Sequence, residues 1–413
     1  MGSPTFKEVP KTGVVYVMAK AADYGFYRGN TDWCNLGQGQ PEVGYLEGGV
    51  ARVNIIETDP FDHEYSPTAG LKELREAIAQ SYNELYRGDK VSKYTAANVA
   101  VCPGGRAALT RLAASIGNVN VGHFIPDYTA YEEMLSVFNS FNTIPILLEG
   151  SSGYNFTTGS LIKEIQGKGL AALLVSNPCN PTGKLIAGTK LKRWVSVAKQ
   201  FNCSLIIDEF YSSYIFSGSP YPTVSAARYV DDVNKDPVII VNGLTKNWRY
   251  PGWRIAWIVA PENVISSVSS AGSFLDGGAC RPFQKEAIKL MDADKIKQEA
   301  LALQSLFREK RRVLLDSLQS MGISFDAEPN GAFYAWGDVS ALPEAINDGM
   351  KFFNACLKEK IVVVPGEFFD INPGKRRSES RFKNHVRFSF GPEMHVIKEA
   401  TKRFKKLIKN YTE

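Results

Sequence analysis

Two ionisable side chains stand close behind apolar runs in the middle of the sequence. Asp208 ends the run SLIID, and Lys246 comes shortly after PVIIVNGL. A lysine beside buried strands is desolvated, which lowers its pKa and suits it to Schiff-base chemistry with a carbonyl compound. A buried carboxylate needs a cationic or N–H partner. The pair indicates covalent carbonyl chemistry beside a bound cation; a helix N-cap for the aspartate and a surface position for the lysine are the structural alternatives.

Three further features could bind an anionic ring compound. The segment CPGGRAAL (102–109) is a glycine-rich turn that opens a helix, where backbone N–H groups can approach a phosphate. In NPCNPTGK (177–184) two Asn-Pro steps follow a strand, and an asparagine amide there can bind a ring hydroxyl. Arg254, which follows Pro-Gly-Trp, can hold a phosphate through two hydrogen bonds. Each feature alone is also compatible with an ordinary turn or hairpin.

The elements that must position these side chains alternate between strands and helices. LAALLVS predicts a buried strand, KLKRWVSVAKQFN (190–202) has its apolar residues at helical spacing, and SLIID and PVIIVNGL predict two more strands. Strand, helix and strand in this order favour a parallel sheet with crossover helices. The predicted strands end at Asn177, Asp208 and Asn242. Because ligands bind at the carboxyl ends of such strands, we expect the site at this edge of the sheet.

The C-terminal third predicts a smaller α+β region beside the sheet. A long amphipathic helix is predicted from about Ile296 to Met321, followed by the strand-like segments GAFYAWGDV, IVVVPG and HVRFSF and by a basic last helix. The polar segment INPGKRRSESRFKN (371–384) is predicted to be an exposed loop. We therefore predict an α/β fold, with a large domain around a mainly parallel central sheet and a smaller α+β domain.

Composition indicates an ordinary soluble protein. The 413 residues carry a formal net charge of +5, which is too small an excess to indicate nucleic-acid binding. No apolar stretch has the length of a membrane span, and the N-terminus MGSPTFKEVP lacks the features of a secretory signal. The six cysteines form neither a C-x-x-C pair nor a zinc-binding spacing, so we expect reduced thiols, no metal and a cytoplasmic location.

In their order and spacing, these motifs resemble those of the fold-type I pyridoxal-phosphate enzymes, in the class I and II aminotransferase family. The resemblance runs from NLGQGQPE near residue 35 to HVRFSFG near residue 391. It implies pyridoxal 5'-phosphate as cofactor and a homodimer with its site at the subunit interface. It also implies three parts: residues 1–55 contribute to the small domain and the pocket, 56–300 form the large cofactor-binding domain, and 301–413 form the small domain.

The resemblance assigns roles to residues around the cofactor ring. Lys246 matches the lysine that holds the cofactor as a Schiff base and moves the proton at the substrate Cα. Asp208 matches the aspartate that pairs with the protonated pyridine nitrogen. Asn180 and Tyr211 match the residues that contact the phenolic oxygen, and Tyr128, in PDYTAY, matches the aromatic residue that stacks on the ring.

Other positions match the phosphate site of the family. Gly105 and Arg106 occupy the phosphate-binding turn, and Arg254 matches the phosphate-binding arginine. Tyr65, in EYSPTAG, resembles the tyrosine that reaches the phosphate from the neighbouring subunit. The sequence departs from the family at Gly243, where many relatives have a hydroxyl residue, while Thr245 keeps a hydroxyl next to the lysine. Arg106 is a second departure, because small or hydroxyl residues are common at its position.

The resemblance also implies the substrates and the reaction. Arg387, in HVRFSF, matches the arginine that binds the substrate α-carboxylate, and Gly39 lies where the N-terminal segment of the family lines the substrate pocket. The implied reaction is ping-pong transfer of an amino group between an α-amino acid and a 2-keto acid. Elimination, substitution, condensation or oxidation of an amino acid on the same scaffold is the alternative.

Substrate identity stays open. Aromatic residues near the N-terminus, Trp33 and Phe26 among them, could indicate an apolar or aromatic substrate side chain, but they could equally be packing residues. Arg281 could bind a distal carboxylate.

Overall fold

The computed structural model describes residues 11, 13–138, 140–217 and 219–412. The prediction that MGSPTFKEVP is not a secretory signal lies outside these residues. The α-helices of the described part are α1 (Gly13–Asp23), α2 (Lys72–Tyr86), α3 (Gly105–Ser115), α4 (Ala130–Val137), α5 (Thr158–Lys168), α6 (Gly188–Phe201), α7 (Glu262–Leu275), α8 (Arg281–Ile288), α9 (Ala293–Ser320), α10 (Gly349–Lys358) and α11 (Met394–Thr412).

The strands form one large sheet and two small ones. In chain order they are β1 (Cys34–Asn35), β2 (Val99–Cys102), β3 (Asn120–Ile125), β4 (Asn142–Leu147), β5 (Leu170–Ser176), β6 (Ser204–Asp208), β7 (Val238–Gly243), β8 (Ala256–Val259), β9 (Tyr334–Asp338), β10 (Ile361–Val362), β11 (Val364–Pro365) and β12 (His385–Ser389).

The large sheet has seven strands in the order β2-β8-β7-β6-β5-β3-β4. β8 is antiparallel to both of its neighbours, and the remaining pairs are parallel. Strands β5, β6 and β7 are buried along nearly their whole length, as expected for parallel strands covered by helices on both faces. The predicted α/β class with a mainly parallel central sheet is confirmed.

Helix α6 illustrates how the local sequence builds these layers. Leu191, Trp194, Val195 and Ala198 are buried, as their helical spacing predicts. The helix ends at Asn202, which adopts the left-handed conformation that asparagine tolerates better than most residues. Its apolar side therefore packs inward and returns the chain to the next parallel strand.

The C-terminal part contains an antiparallel sheet in the order β11-β12-β9. β1 pairs in parallel with β10, which attaches the N-terminal segment to this part of the molecule. The predicted smaller α+β region is confirmed. Helix α9 begins at Ala293 and continues past residue 300, so the division into 1–55, 56–300 and 301–413 remains a prediction.

The segment 371–384, predicted to be an exposed loop, is exposed at only about half of its residues, and Ile371, Pro373 and Phe382 are buried within it. It is attached to α4, because Glu132 accepts hydrogen bonds from the Asn372 N–H and from Lys375. Within the described ranges, no helix combines the length and the apolar character that crossing a membrane requires.

Candidate active site

A cavity of about 640 Å³ opens at the carboxyl edge of the large sheet. The cavity walls include residues that follow the ends of β2, β5, β6 and β7 and residues that precede β8. β8 begins at this edge of the sheet because it is antiparallel to its neighbours. Every site residue predicted from the sequence except Tyr65 lines this cavity: Gly39, Gly105, Arg106, Tyr128, Asn180, Asp208, Tyr211, Thr245, Lys246, Arg254 and Arg387.

The Lys246 side chain lies in the cavity with its amine next to the N-terminal segment. Its Nζ donates a hydrogen bond to the Gly39 carbonyl, and its own carbonyl accepts one from the Tyr214 hydroxyl at 2.9 Å. The pKa of the Lys246 amine is lowered to about 7, mainly by burial and also by the nearby guanidinium groups of Arg387 and Arg254, while Asp208 acts in the opposite direction. Near neutral pH, a large fraction of this amine is therefore unprotonated and nucleophilic.

Asp208 lies at the end of β6, at the floor of the cavity. Its Oδ2 accepts a hydrogen bond from the Tyr131 hydroxyl at 3.0 Å, and its Oδ1 accepts one from the Phe210 N–H at 3.2 Å. Burial raises the pKa of the Asp208 carboxyl to about 6, although both hydrogen bonds and Lys246 act in the opposite direction. Asp208 is thus an anion at neutral pH that lacks a direct cationic partner within the described part of the chain.

Asn180 and Arg387 form a buried, hydrogen-bonded pair in the cavity lining. Arg387, on β12, donates from Nη1 to Asn180 Oδ1 at 3.0 Å and from Nη2 to the Gly37 carbonyl at 2.5 Å. Its guanidinium also lies over the Tyr334 ring, 4.3 Å from the centroid. Since Asn180 Oδ1 is engaged by Arg387, its NH₂ group is the part that can donate to a ligand.

The Tyr128 backbone is held by the buried carboxyl group of Asp127, whose pKa is raised by burial to about 8. Asp127 accepts hydrogen bonds from the Tyr128 N–H at 2.7 Å and from the hydroxyl of Ser176 at the end of β5. Ser176 Oγ in turn accepts the Asn180 N–H at 3.3 Å. This chain of contacts links the backbone of Tyr128 to the backbone of Asn180, two residues of the cavity lining.

The turn before α3 provides an anion site. Gly104 has a φ of +95°, and α3 begins at Gly105 without a side-chain cap. Within the described residues no side chain caps its first N–H groups, and Gly105 and Arg106 line the cavity at the end of the helix that favours negative charge. Arg254 packs against Gly104, where a Cβ would overlap its guanidinium, and Arg106 lines the same wall.

The position three residues before Lys246 has no room for a hydroxyl side chain. A Cβ on Gly243 would lie 2.7 Å from the Ala256 Cα and 2.7 Å from the Ile255 carbonyl oxygen of the adjoining strand. The Thr245 hydroxyl is buried and has no hydrogen-bond partner in the described part of the protein. Thr245 therefore supplies the free hydroxyl beside the lysine that Gly243 cannot supply.

Several predicted or considered residues lie elsewhere. Tyr65 is 97% exposed and outside the cavity of its own chain. Trp33 and Phe26 pack edge to face at 5.5 Å and do not line the cavity, so packing is their role. Arg281 lies 3.6 Å from a carboxylate oxygen of Asp62, on the same chain.

The sequence analysis missed four residues that position the site. They are Tyr131, Asp127, Ser176 and Tyr334, whose hydroxyl is hydrogen-bonded to that of Tyr211 at 2.7 Å. A signal existed for two of them, since Asp127 and Tyr131 flank Tyr128 in the segment PDYTAY.

The family model for aminotransferases of class I and II matches residues 31–404. The chain belongs to the class I and II aminotransferases. An aspartate aminotransferase from Sulfurisphaera tokodaii is 26% identical to it, covering 91% of this chain and 89% of the relative. One from Thermotoga maritima is 26% identical over 98% of both chains. The solved structure of Thermus thermophilus aspartate aminotransferase with maleate superposes with a TM-score of 0.79, covers 97% of this chain and all of that one, and is 22% identical.

This aminotransferase is therefore a pyridoxal-phosphate-dependent transferase that moves an amino group between an α-amino acid and a 2-keto acid. Its cavity fits the cofactor. The uncapped helix start and Arg254 suit a phosphate, the unpartnered Thr245 hydroxyl adds a donor, and the buried Asp208 anion suits a protonated pyridine nitrogen.

Proposed function

We propose that Lys246 holds pyridoxal phosphate as a Schiff base and transfers the proton at the substrate Cα in a ping-pong transamination. The observation that supports this most is a buried amine whose pKa is lowered to about 7 within a cavity lined by an anion site and by Asp208. A lysine in such surroundings can act as nucleophile and as general base near neutral pH.

The residues around Lys246 would hold the cofactor ring. Asp208 would pair with the protonated pyridine nitrogen, Asn180 and Tyr211 would contact the phenolic oxygen, and Tyr128 would stack on the ring. When bound, the cofactor supplies an electron sink for the negative charge that develops at the substrate Cα. The contribution of Asp208, whose pKa is raised to about 6, is a carboxyl group that is mostly ionised at neutral pH.

The phosphate would lie at the start of α3. The N–H groups of Gly105 and Arg106, the guanidinium of Arg254 and the hydroxyl of Thr245 are the donors that face this wall. Arg106 adds a second guanidinium to this wall, so the site offers a divalent anion two positive charges as well as the helix N-terminus.

Arg387 would bind the α-carboxylate of the amino acid. Its guanidinium is already oriented by Asn180 and the Gly37 carbonyl, so little side-chain entropy is lost when a carboxylate binds. Gly39 leaves space on the same wall, since a Cβ there would lie 2.8 Å from the Tyr334 hydroxyl. Lys246, whose amine contacts the Gly39 carbonyl, would take the Cα proton beside the bound carboxylate.

We further propose a cytoplasmic homodimer in which Tyr65 reaches the phosphate site of the partner subunit. Tyr65 is 97% exposed, and Ile55 and Phe61 in the same stretch are 76% and 65% exposed, which is unusual for apolar side chains unless they are covered. Light scattering should give twice the chain mass, and Tyr65→Phe should weaken cofactor affinity. A fully active monomer would contradict this arrangement.

The spectrum of the purified protein tests the central role of Lys246. We expect a visible absorption band that an amino acid bleaches as its keto acid forms, and Lys246→Ala should lose both the band and turnover. Release of ammonia or of an unsaturated product would instead favour the elimination, substitution, condensation or oxidation alternative. Unimpaired activity of Lys246→Ala would refute the assignment.

A further inference from the structure

The cavity wall formed by α1 and α4 carries an acidic side chain with no assigned role. Glu133 lines the cavity together with Val14, Val15 and Thr129. The two helices touch here, because a Cβ on Gly13 would lie 2.8 Å from the Thr129 Oγ1. Residues four apart in a helix lie on the same side, so Glu133 follows Thr129 on the side of α4 that faces α1.

The Glu133 carboxylate is available to a ligand. Its side chain is half-buried, and no hydrogen bond or ion pair engages its carboxylate within the described part of the chain. The preceding residue differs in this respect, because Glu132 binds Lys375 and the Asn372 N–H. Of these two neighbouring acidic residues, the one that faces the cavity is thus the one left without a protein partner.

Glu133 is the charged residue of the described cavity lining that has no role in the proposed function. Under the function proposed above, the other charged residues of the lining all have roles: Lys246 holds the cofactor, Arg106 and Arg254 bind the phosphate, Arg387 binds the α-carboxylate, and Asp208 pairs with the pyridine nitrogen. Glu133 is then the remaining fixed charge on the described lining. A substrate with a second carboxylate would be repelled by it, whereas an ammonium or guanidinium group would gain a charge-assisted hydrogen bond.

We propose that Glu133 selects amino acids whose side chain ends in a cation, an ω-amino or guanidino group, and disfavours dicarboxylic amino acids. This inference rests on the proposed function, because it takes the α-carboxylate to lie at Arg387. Val14 and Val15 offer apolar surface for the methylene groups of such a side chain. The relatives at about a quarter identity are named for aspartate, a substrate of the opposite charge.

Lysine and norleucine form a matched pair for the test, since they have the same carbon skeleton and lysine adds only the terminal ammonium. Steady-state kcat/KM of the holoenzyme should favour lysine over norleucine and over glutamate. Glu133→Gln should lower the lysine-to-norleucine ratio about tenfold. Glu149→Gln, which removes one exposed negative charge outside the cavity, should leave the ratio unchanged.

Calorimetric titration of lysine and of norleucine into holo Lys246→Ala protein gives the ratio of their affinities without turnover. A lysine preference that disappears in the Glu133→Gln, Lys246→Ala double variant supports the inference. A ratio unaffected by Glu133→Gln, or a wild-type preference for aspartate or glutamate over lysine, overturns it. Failure of the proposed function would appear differently, as no keto acid from any amino acid, whereas failure of the Glu133 inference alone would leave keto acid formation intact with a lysine-to-norleucine ratio that Glu133→Gln does not change.

Discussion

Tyr131 donates its hydroxyl to Asp208 across 77 residues of sequence, at a distance of 3.0 Å. Both side chains are buried, and the hydrogen bond opposes the effect of burial, which raises the pKa of the carboxyl. The aspartate that would face the pyridine nitrogen, at the end of β6, is thus kept ionised at neutral pH with the help of a residue on α4.

Tyr131→Phe should raise the pKa of Asp208, because a hydrogen bond to the charged form is lost. Such a bond contributes about 1.5–3 kcal/mol, so kcat/KM should fall about tenfold or more. The pH dependence of the cofactor absorption should shift as well. Tyr94→Phe is a suitable control, since Tyr94 is buried away from the cavity. Equal effects of the two variants would show that Tyr131 acts through packing alone.

The rate at which the apo protein reacts with pyridoxal phosphate should depend on pH, because Lys246 reacts only in its unprotonated form. The pKa of this amine is lowered to about 7, so the reactive unprotonated form increases as pH rises through 7 and then levels off. Stopped-flow absorbance after mixing with pyridoxal phosphate, with Lys246→Ala as blank, measures the rate. A rate that keeps rising toward pH 10 would show an amine with an ordinary pKa.

Asp127 should be essential for holding Tyr128 and Asn180 in place. Asp127→Ala would leave two N–H groups and the Ser176 hydroxyl without their acceptor, at a cost of about 1–3 kcal/mol for each buried group. We expect weaker cofactor binding and a lower free energy of unfolding. Asp127→Asn keeps one acceptor oxygen, so its cofactor affinity by equilibrium dialysis and its free energy of unfolding by urea titration should lie between those of the wild type and Asp127→Ala. Lower values for Asp127→Asn than for Asp127→Ala would contradict this explanation.

Arg249 and Glu299 form a buried pair that attaches the N-terminal segment. Arg249 Nε donates to Glu299 at 3.1 Å, and the other carboxylate oxygen of Glu299 accepts the Val50 N–H at 2.9 Å. Glu299→Ala should lower the free energy of unfolding by about 3–5 kcal/mol, because it leaves a buried cation unpaired. Urea denaturation measures this, and Glu309→Ala, an exposed site on the same helix, should change stability little. Similar values for the two variants would show that the pair is not important for stability.

The sheet and most of the cavity lining could be predicted because each depends on a local pattern. Buried parallel strands are continuous apolar runs, and the polar residue after each run lies at the carboxyl edge. The predicted strand ends at Asn177, Asp208 and Asn242 lie within one residue of the observed ends of β5, β6 and β7.

Contacts between distant segments could not be predicted in this way. Nothing in the sequence around Tyr131 specifies Asp208 as its partner, and nothing around Arg249 specifies Glu299. The position of α1 against α4, which brings Val14 and Glu133 to one wall, depends on how the completed sheet packs. Such pairings are products of tertiary structure, which hydrophobic periodicity does not encode.

Because β8 is antiparallel to β7, the short connection between these two strands positions two residues of the site. Lys246 follows β7 and Arg254 precedes β8, so the residues between them form the whole link between the lysine proposed to hold the cofactor and the arginine proposed to bind its phosphate. An insertion in 247–253 would displace both residues together, whereas the opposite edge of the sheet carries neither of them. For anyone who redesigns this enzyme, the 247–253 link must keep its length, and loops at the far edge are where peptide tags or additional domains belong.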